Sequence, residues 1–212
     1  MATKKAKVNP NCAVAGCRTK QPHLSSPTTA GIHAAFAKPE QLAAWVKMSL
    51  VEIIQSIIDD VNRNRYFAYF TRFRQAEEMY HRALYLVFVA QPYEIPHIAS
   101  NEPPNSFSAM WQAVNSKVYA GTGTLDKKQT GLAGEVFTAM DTLNSGAHAS
   151  LGAVVTVIDI SQNRTKWQPT IEKHVEYLKS HCDNLDWIEK RFKGGESAED
   201  VLDGFKKRIG IP

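Results

Sequence analysis

The sequence predicts an all-α protein in which an irregular N-terminal arm precedes a compact bundle of about six to eight helices. Three observations predict it. Apolar residues recur at three- and four-residue spacing through most of the chain after residue 39, no mutually paired strand-like segments are apparent, and residues 40 to 91 hold neither Gly nor Pro. With 212 residues, 43% hydrophobic composition, four Trp, nine Phe and seven Tyr, the chain has ample material for a buried core. That aromatic content excludes a disordered chain, and three Cys in this length exclude a disulfide-stapled secreted mini-domain.

Residues 1 to 38 form the arm. Pro10, Gly16, Pro22, Pro27 and Gly31, with the run Ser25-Ser26-Pro27-Thr28-Thr29, interrupt any period. From residue 39 to 212 the pattern is helical. Pro39 suits a first helical turn, where its missing N–H would be unpaired anyway. Leu42, Val46, Leu50, Ile53, Ile57 and Val61 then make one apolar stripe. A single helix to Gln91 would measure roughly 75 Å, too long for a domain of this size, so a break is expected at Asn62-Arg63-Asn64. A second helix follows from about Arg65 to Ala90, stopped by Pro92.

Beyond Glu102-Pro103-Pro104-Asn105, a third stripe comprises Phe107, Met110, Trp111, Val114, Val118 and Tyr119, ended by Gly121 and Gly123. Leu132, Val136, Met140 and Leu143 indicate a fourth helix. Leu151 to Ile160 is β-branched enough for a strand on propensity, but it lacks a partner strand and reads better as a buried helix. Trp167 to Phe192 carries Ile171, Val175, Leu178, Leu185, Ile188 and Phe192, one long helix or two. Ser197 has the character of an N-cap for a last helix containing Val201, Phe205 and Ile209, after the Gly194-Gly195 turn.

The charge is divided unevenly. The arm contains Lys4, Lys5, Lys7, Arg18, Lys20 and Lys38 and no acid, whereas the rest carries nineteen basic against twenty-one acidic residues. No segment is expected to span a membrane, because the longest apolar stretches, Ala83 to Ala90 and Leu151 to Ile158, fall far short of a bilayer span, and the basic N-terminus lacks the apolar region of a signal peptide. The expectation is a cytoplasmic protein with no membrane partner. Cys12, Cys17 and Cys182 fit a reducing compartment.

Two groups of residues bear chemistry. In the arm, Cys12, Cys17 and His23, with His33 ten residues further on, offer the thiolates and imidazoles that zinc prefers in a closed tetrahedral site. Such a site would order a segment too polar to build its own core. The spacing also accommodates unliganded thiols or a disulfide, and the distant pair His181-Cys182 competes with His33 for the fourth position. On the second helix, Arg74, Glu77 and His81 share the arc of Phe70, Phe73, Leu84 and Phe88, with Glu78 at its edge. Charges on an apolar face must be paired. The arrangement is a pocket in which a Glu tunes His81 or Arg74 receives an anion, or an ion-pair network that fastens the helix to its neighbours, or simply a helix turn that reaches solvent.

Other signatures fail. Glu78-x-x-His81 has no second Glu-x-x-His to complete a di-iron site, and nucleotide-binding loops and hydrolase elbows are absent. Residues 62 to 75 interleave four Arg with five aromatics, as a single-strand platform does, but Arg65 and Arg72 fall opposite most of the rings. The last helix opens Ser197-Ala198-Glu199-Asp200, the wrong sign for DNA reading. His174 and His181 share a helix face as a surface or core pair, while His97 and His148 are loop residues.

The function expected from these features is that of a non-enzymatic binding or accessory protein, whose arm, organised by zinc, contacts nucleic acid or an acidic protein through Lys4, Lys5, Lys7, Arg18 and Lys20. An enzyme or small-molecule binder built on Arg74, Glu77, Glu78 and His81 is the alternative, and a structural assembly subunit is a third reading.

Overall fold

The computed structural model describes residues 38–90, 107–119 and 151–211, of which 87% are helical and none is in a strand. Six helices make up these residues: α1 Pro39–Asn62, α2 Tyr66–Phe88, α3 Phe107–Lys117, α4 Leu151–Gln162, α5 Arg164–Lys193 and α6 Ala198–Arg208. The all-α prediction therefore holds. The arm, the stretch containing Leu132 to Leu143, and His97 and His148 lie outside the described residues.

Pro39 opens α1, and Lys38 before it is extended, as steric contact with a following proline requires. The expected break falls at Arg63 and Asn64. Asn64 adopts φ 57°, a left-handed conformation that asparagine tolerates better than other side chains. Just before the corner, buried Asp60 receives Arg65 Nη2 at 2.6 Å and Arg72 Nε at 2.7 Å. The two arginines that the sequence set opposite the rings thus brace the α1–α2 hairpin, while Tyr66, Tyr69, Phe70 and Phe73 enter the core.

α1 packs on α2 and on α5 through Leu42, Leu50, Ile54, Ile57 and Val61. Among the described residues it is the one helix long and apolar enough to cross a bilayer, a property hidden by scattered charges when only unbroken apolar runs are considered. Leu42, Leu50, Ile54, Ile57 and Val61 face the core, whereas Trp45, Met48 and Val51 are exposed. Helix α4 bears out the helical reading of the β-branched stretch but not its expected burial: Ile160 is buried against the neighbouring helices, whereas Val154, Val155 and Ile158 are exposed. Only Asn163 separates α4 from α5, and Asp159 spans the joint by accepting from Asn163 Nδ2 and Trp167 Nε1, both at 2.7 Å.

α5 is a single 30-residue helix with Pro169 inside it. Its buried residues Ile171, His174, Leu178, His181, Leu185 and Ile188 follow one three-four stripe. The turn after it uses Gly195 at φ 83°, where a side chain would be strained. Ser197 caps α6 by accepting from Asp200 N at 3.1 Å, as expected. Within α6, a Cβ on Gly204 would lie 2.9 Å from the Trp187 ring, so glycine sets the close approach of α6 to α5.

Candidate functional site

α2 and α5 approach each other less closely than either approaches α1, and tyrosine and histidine rings fill the space between them. At the centre stands Glu77, 1% exposed. Its Oε1 accepts from His181 Nε2 at 2.8 Å. His81, one turn on, donates from Nδ1 to the Glu77 carbonyl oxygen at 2.8 Å, and the same nitrogen is 3.8 Å from Oε2. That bond leaves His81 Nε2 as the acceptor facing the Tyr119 hydroxyl at 3.3 Å.

Aromatic rings enclose the group. Tyr80 lies flat against His181 with centroids 3.7 Å apart and planes 5° from parallel, and Tyr177 meets the same imidazole edge-on at 4.4 Å. Trp111 of α3 stands edge-on to His81 at 4.3 Å. The Tyr80 hydroxyl accepts from Asn184 Nδ2 at 3.2 Å, and Asn184 Oδ1 accepts from Arg208 Nε at 3.0 Å, which brings α6 into the network. Two turns of α2 closer to the corner, buried His174 of α5 hydrogen-bonds through Nδ1 to the Tyr69 hydroxyl.

Electrostatics follow from this enclosure. Burial alone would raise the Glu77 carboxyl, but His181, by charge and by hydrogen bond, and His81 and Tyr177 reverse that, so its pKa lies below the usual carboxylate value. Burial takes His81 down to about 4, only partly opposed by Glu77. It is therefore neutral near pH 7. Burial raises Tyr69, Tyr80, Tyr119 and Tyr177 far above the ordinary phenol value, which keeps all four protonated. Glu77 Oε2 and His181 Nδ1 have no hydrogen-bond partner of good geometry among the described residues.

The four polar residues singled out on α2 are divided by the fold. Glu77 and His81 enter the core, whereas Arg74 Nε bonds Glu78 Oε1 at 2.8 Å at the half-exposed edge of the helix. Helical spacing places His174 and His181 on one face, and offers His181 with Cys182 as a distant zinc ligand, but pairs neither histidine with a side chain of α2. The available signal was their interleaving with Ile171, Leu178, Leu185 and Ile188, which marks both as interior. His181 is held by Glu77, and Cys182 is half-buried on the neighbouring face beside Lys47 and Asp186. Among the described residues no group of three or more His, Cys, Asp or Glu has the geometry to hold a metal ion. Cys12, Cys17, His23 and His33, and the basic residues Lys4, Lys5, Lys7, Arg18 and Lys20, lie outside the described residues.

With Glu77 1% and both His81 and His181 4% exposed, the cluster has the chemistry of an acid–base site and the packing of a core. Two grooves between α1 and α5 are accessible instead. One, of about 230 Å³, lies beside Asn62, Gln168 and Glu172, and the other, of about 420 Å³, lies beside Lys47, Glu52 and Asp183. No protein-family model matches this chain, and neither a curated protein nor a solved structure matches it.

Proposed function

We propose that the protein is a non-enzymatic binding protein whose helical body carries a basic arm that engages a polyanion, either nucleic acid or an acidic protein. One observation carries this reading: six Lys and Arg within 38 residues and not one acid. Such a segment attracts phosphate or carboxylate arrays and releases their counterions on binding. Cys12, Cys17, His23 and His33 are the zinc ligands that would gather Arg18 and Lys20 into a fixed group. The enclosure of Glu77, His81 and His181 by aromatic rings supports a fastening role for the α2 cluster over a catalytic one.

The test compares the full chain with a variant carrying Lys4→Gln, Lys5→Gln, Lys7→Gln, Arg18→Gln and Lys20→Gln, using a mixed-sequence single-stranded oligonucleotide and poly-glutamate as separate probes. Five phosphate contacts predict that oligonucleotide affinity falls on the order of a hundredfold between 50 and 200 mM salt. The variant should lose both the binding and the salt slope. Unchanged binding of whichever probe the parent retains would remove the proposal. Elemental analysis of the purified chain beside Cys12→Ser and Cys17→Ser tests zinc: stoichiometric metal lost in both variants is expected, and a metal-free parent would eliminate the ligand assignment.

A further inference from the structure

The larger groove between α1 and α5 combines two features that one kind of side chain satisfies together. Its walls carry three carboxylates, Glu52, Asp183 and Asp186, against one ammonium, Lys47. That ammonium is already engaged by Asp186 at 2.8 Å and by Glu189 at 2.9 Å. Asp186 is held by Lys190 as well at 2.6 Å, so the negative charge the groove offers rests on Glu52 and Asp183. Between the carboxylates lie Met48 and Val51, 63% and 55% exposed. A Lys or Arg lays its aliphatic stem on such apolar surface while its charged head reaches a carboxylate.

We infer that this groove is the docking site of the protein's own arm, with basic side chains around Arg18 and Lys20 resting on Met48 and Val51 and paired with Glu52 and Asp183. The occupant follows from charge and from reach. The arm is free of acid and joins α1 directly at Lys38. Glu52 is fourteen residues into the chain beyond Lys38, about 21 Å along the helix. Eighteen residues separate Lys20 from Lys38, and a coil of that length bridges on the order of 23 Å. Were residues 12 to 33 gathered on one zinc ion, the five remaining residues would still reach about 17 Å, enough to arrive at Lys47, about 14 Å along α1. A tether whose length matches the span gives the highest effective concentration, so individually weak ion pairs suffice.

The same basic side chains serve groove and polyanion, so the two exclude one another and the groove sets a threshold for polyanion binding; that consequence rests on the function proposed above. Docking itself is read independently. Zero-length carbodiimide coupling of the full chain at low salt should join an amine of Lys4, Lys5, Lys7 or Lys20 to the carboxyl of Glu52, Asp183 or Asp186. Those links should disappear at 0.5 M salt. In a mixture of ¹⁵N-labelled and unlabelled protein, they should connect peptides of one isotope only. Absence of arm-to-groove links, or links between isotopes that signal a second copy in the groove, would overturn the inference.

A second measurement addresses the threshold. Glu52→Gln with Asp183→Asn should raise oligonucleotide affinity about fivefold, the scale of two exposed ion pairs. Glu199→Gln with Asp203→Asn makes the same change in net charge on exposed α6 positions and serves as the control. Equal gains in both variants would overturn the competitive role. Failure of the five-residue Gln variant to reduce oligonucleotide binding would instead overturn the proposed function, while the coupling experiment would still report on the arm.

Discussion

Two polar clusters, one buried and one at the surface, link α5 to the rest of the bundle, and they differ in almost every physical respect. Inside, Glu77 meets His181 and His81 with side chains only 1 to 5% exposed. Outside, Lys47 of α1 joins Asp186 and Glu189, which Lys190 and Lys193 extend at 2.6 Å each into a ladder along α5. The outer set tolerates loss because water replaces any missing partner. The inner set does not, since desolvation has already been imposed on every member and no solvent can take a vacant place. The comparison teaches that exposure, more than the identity of the charges, decides what a pair contributes.

The largest effect expected to sharpen that contrast comes from Glu77→Ala. It leaves two buried imidazoles facing no carboxylate, a loss of roughly 3–5 kcal/mol. For a helical body of this size the melting temperature should fall on the order of 10 °C, read by circular dichroism. A change no greater than that of a surface substitution would break the distinction between the two sets.

Acid should expose the same difference. Unfolded, His81 takes up a proton near its ordinary 6.5; folded, it resists until about 4. Folding stability is accordingly intact above pH 6.5 and declines as the pH falls to about 4, by roughly 3 kcal/mol. Glu77, held below its ordinary 4.5, extends the decline to more acid conditions. The outer ladder acts later: hydrogen bonds from Lys190 and Lys47 take Asp186 from 3.8 down to about 2, so its contribution persists until the pH drops below about 4. Urea midpoints at pH 7.5, 5.5 and 4.0 should therefore decrease in the parent, and the decrease between 7.5 and 5.5 should shrink in His81→Gln. A midpoint that is flat over that upper interval would refute the account of His81.

The smallest effect belongs to Lys47→Met, which removes the link from α1 to the ladder. It should cost at most about 1 kcal/mol and lose its difference from the parent in 1 M salt. A larger, salt-insensitive loss would place the outer ladder in the same class as the interior.

These regions also differ in how legible they were in the sequence. Periodicity marked the inward face of α1 from Leu42 to Val61, the corner at Asn62-Arg63-Asn64 and the Ser197 cap, because each is written within a few neighbouring residues. It also set Glu77 and His81 on the inward arc of α2. The partner of Glu77 was not legible, since His181 lies 104 residues away and helical spacing specifies a face without naming what meets it. Asp60 was missed for a related reason. A carboxylate near the end of an apolar stripe resembles a solvated terminus until Arg65 and Arg72 fold back across the corner. For α4, local propensity pointed towards a strand, and the absence of a partner strand decided correctly for a helix.

The corner at Asp60 has a consequence for the order in which the protein assembles. Its ion pairs close loops of only five and twelve residues, whereas Glu77 and Lys47 must find partners more than a hundred residues away. Loop closure costs more entropy as the intervening chain lengthens. During synthesis, moreover, α1 and α2 are complete long before α5 exists. At that stage Glu77 still lacks His181, whereas Asp60 already has Arg65 and Arg72 within reach: the corner carries its charge pairs within the hairpin itself, and the centre of the core waits for α5.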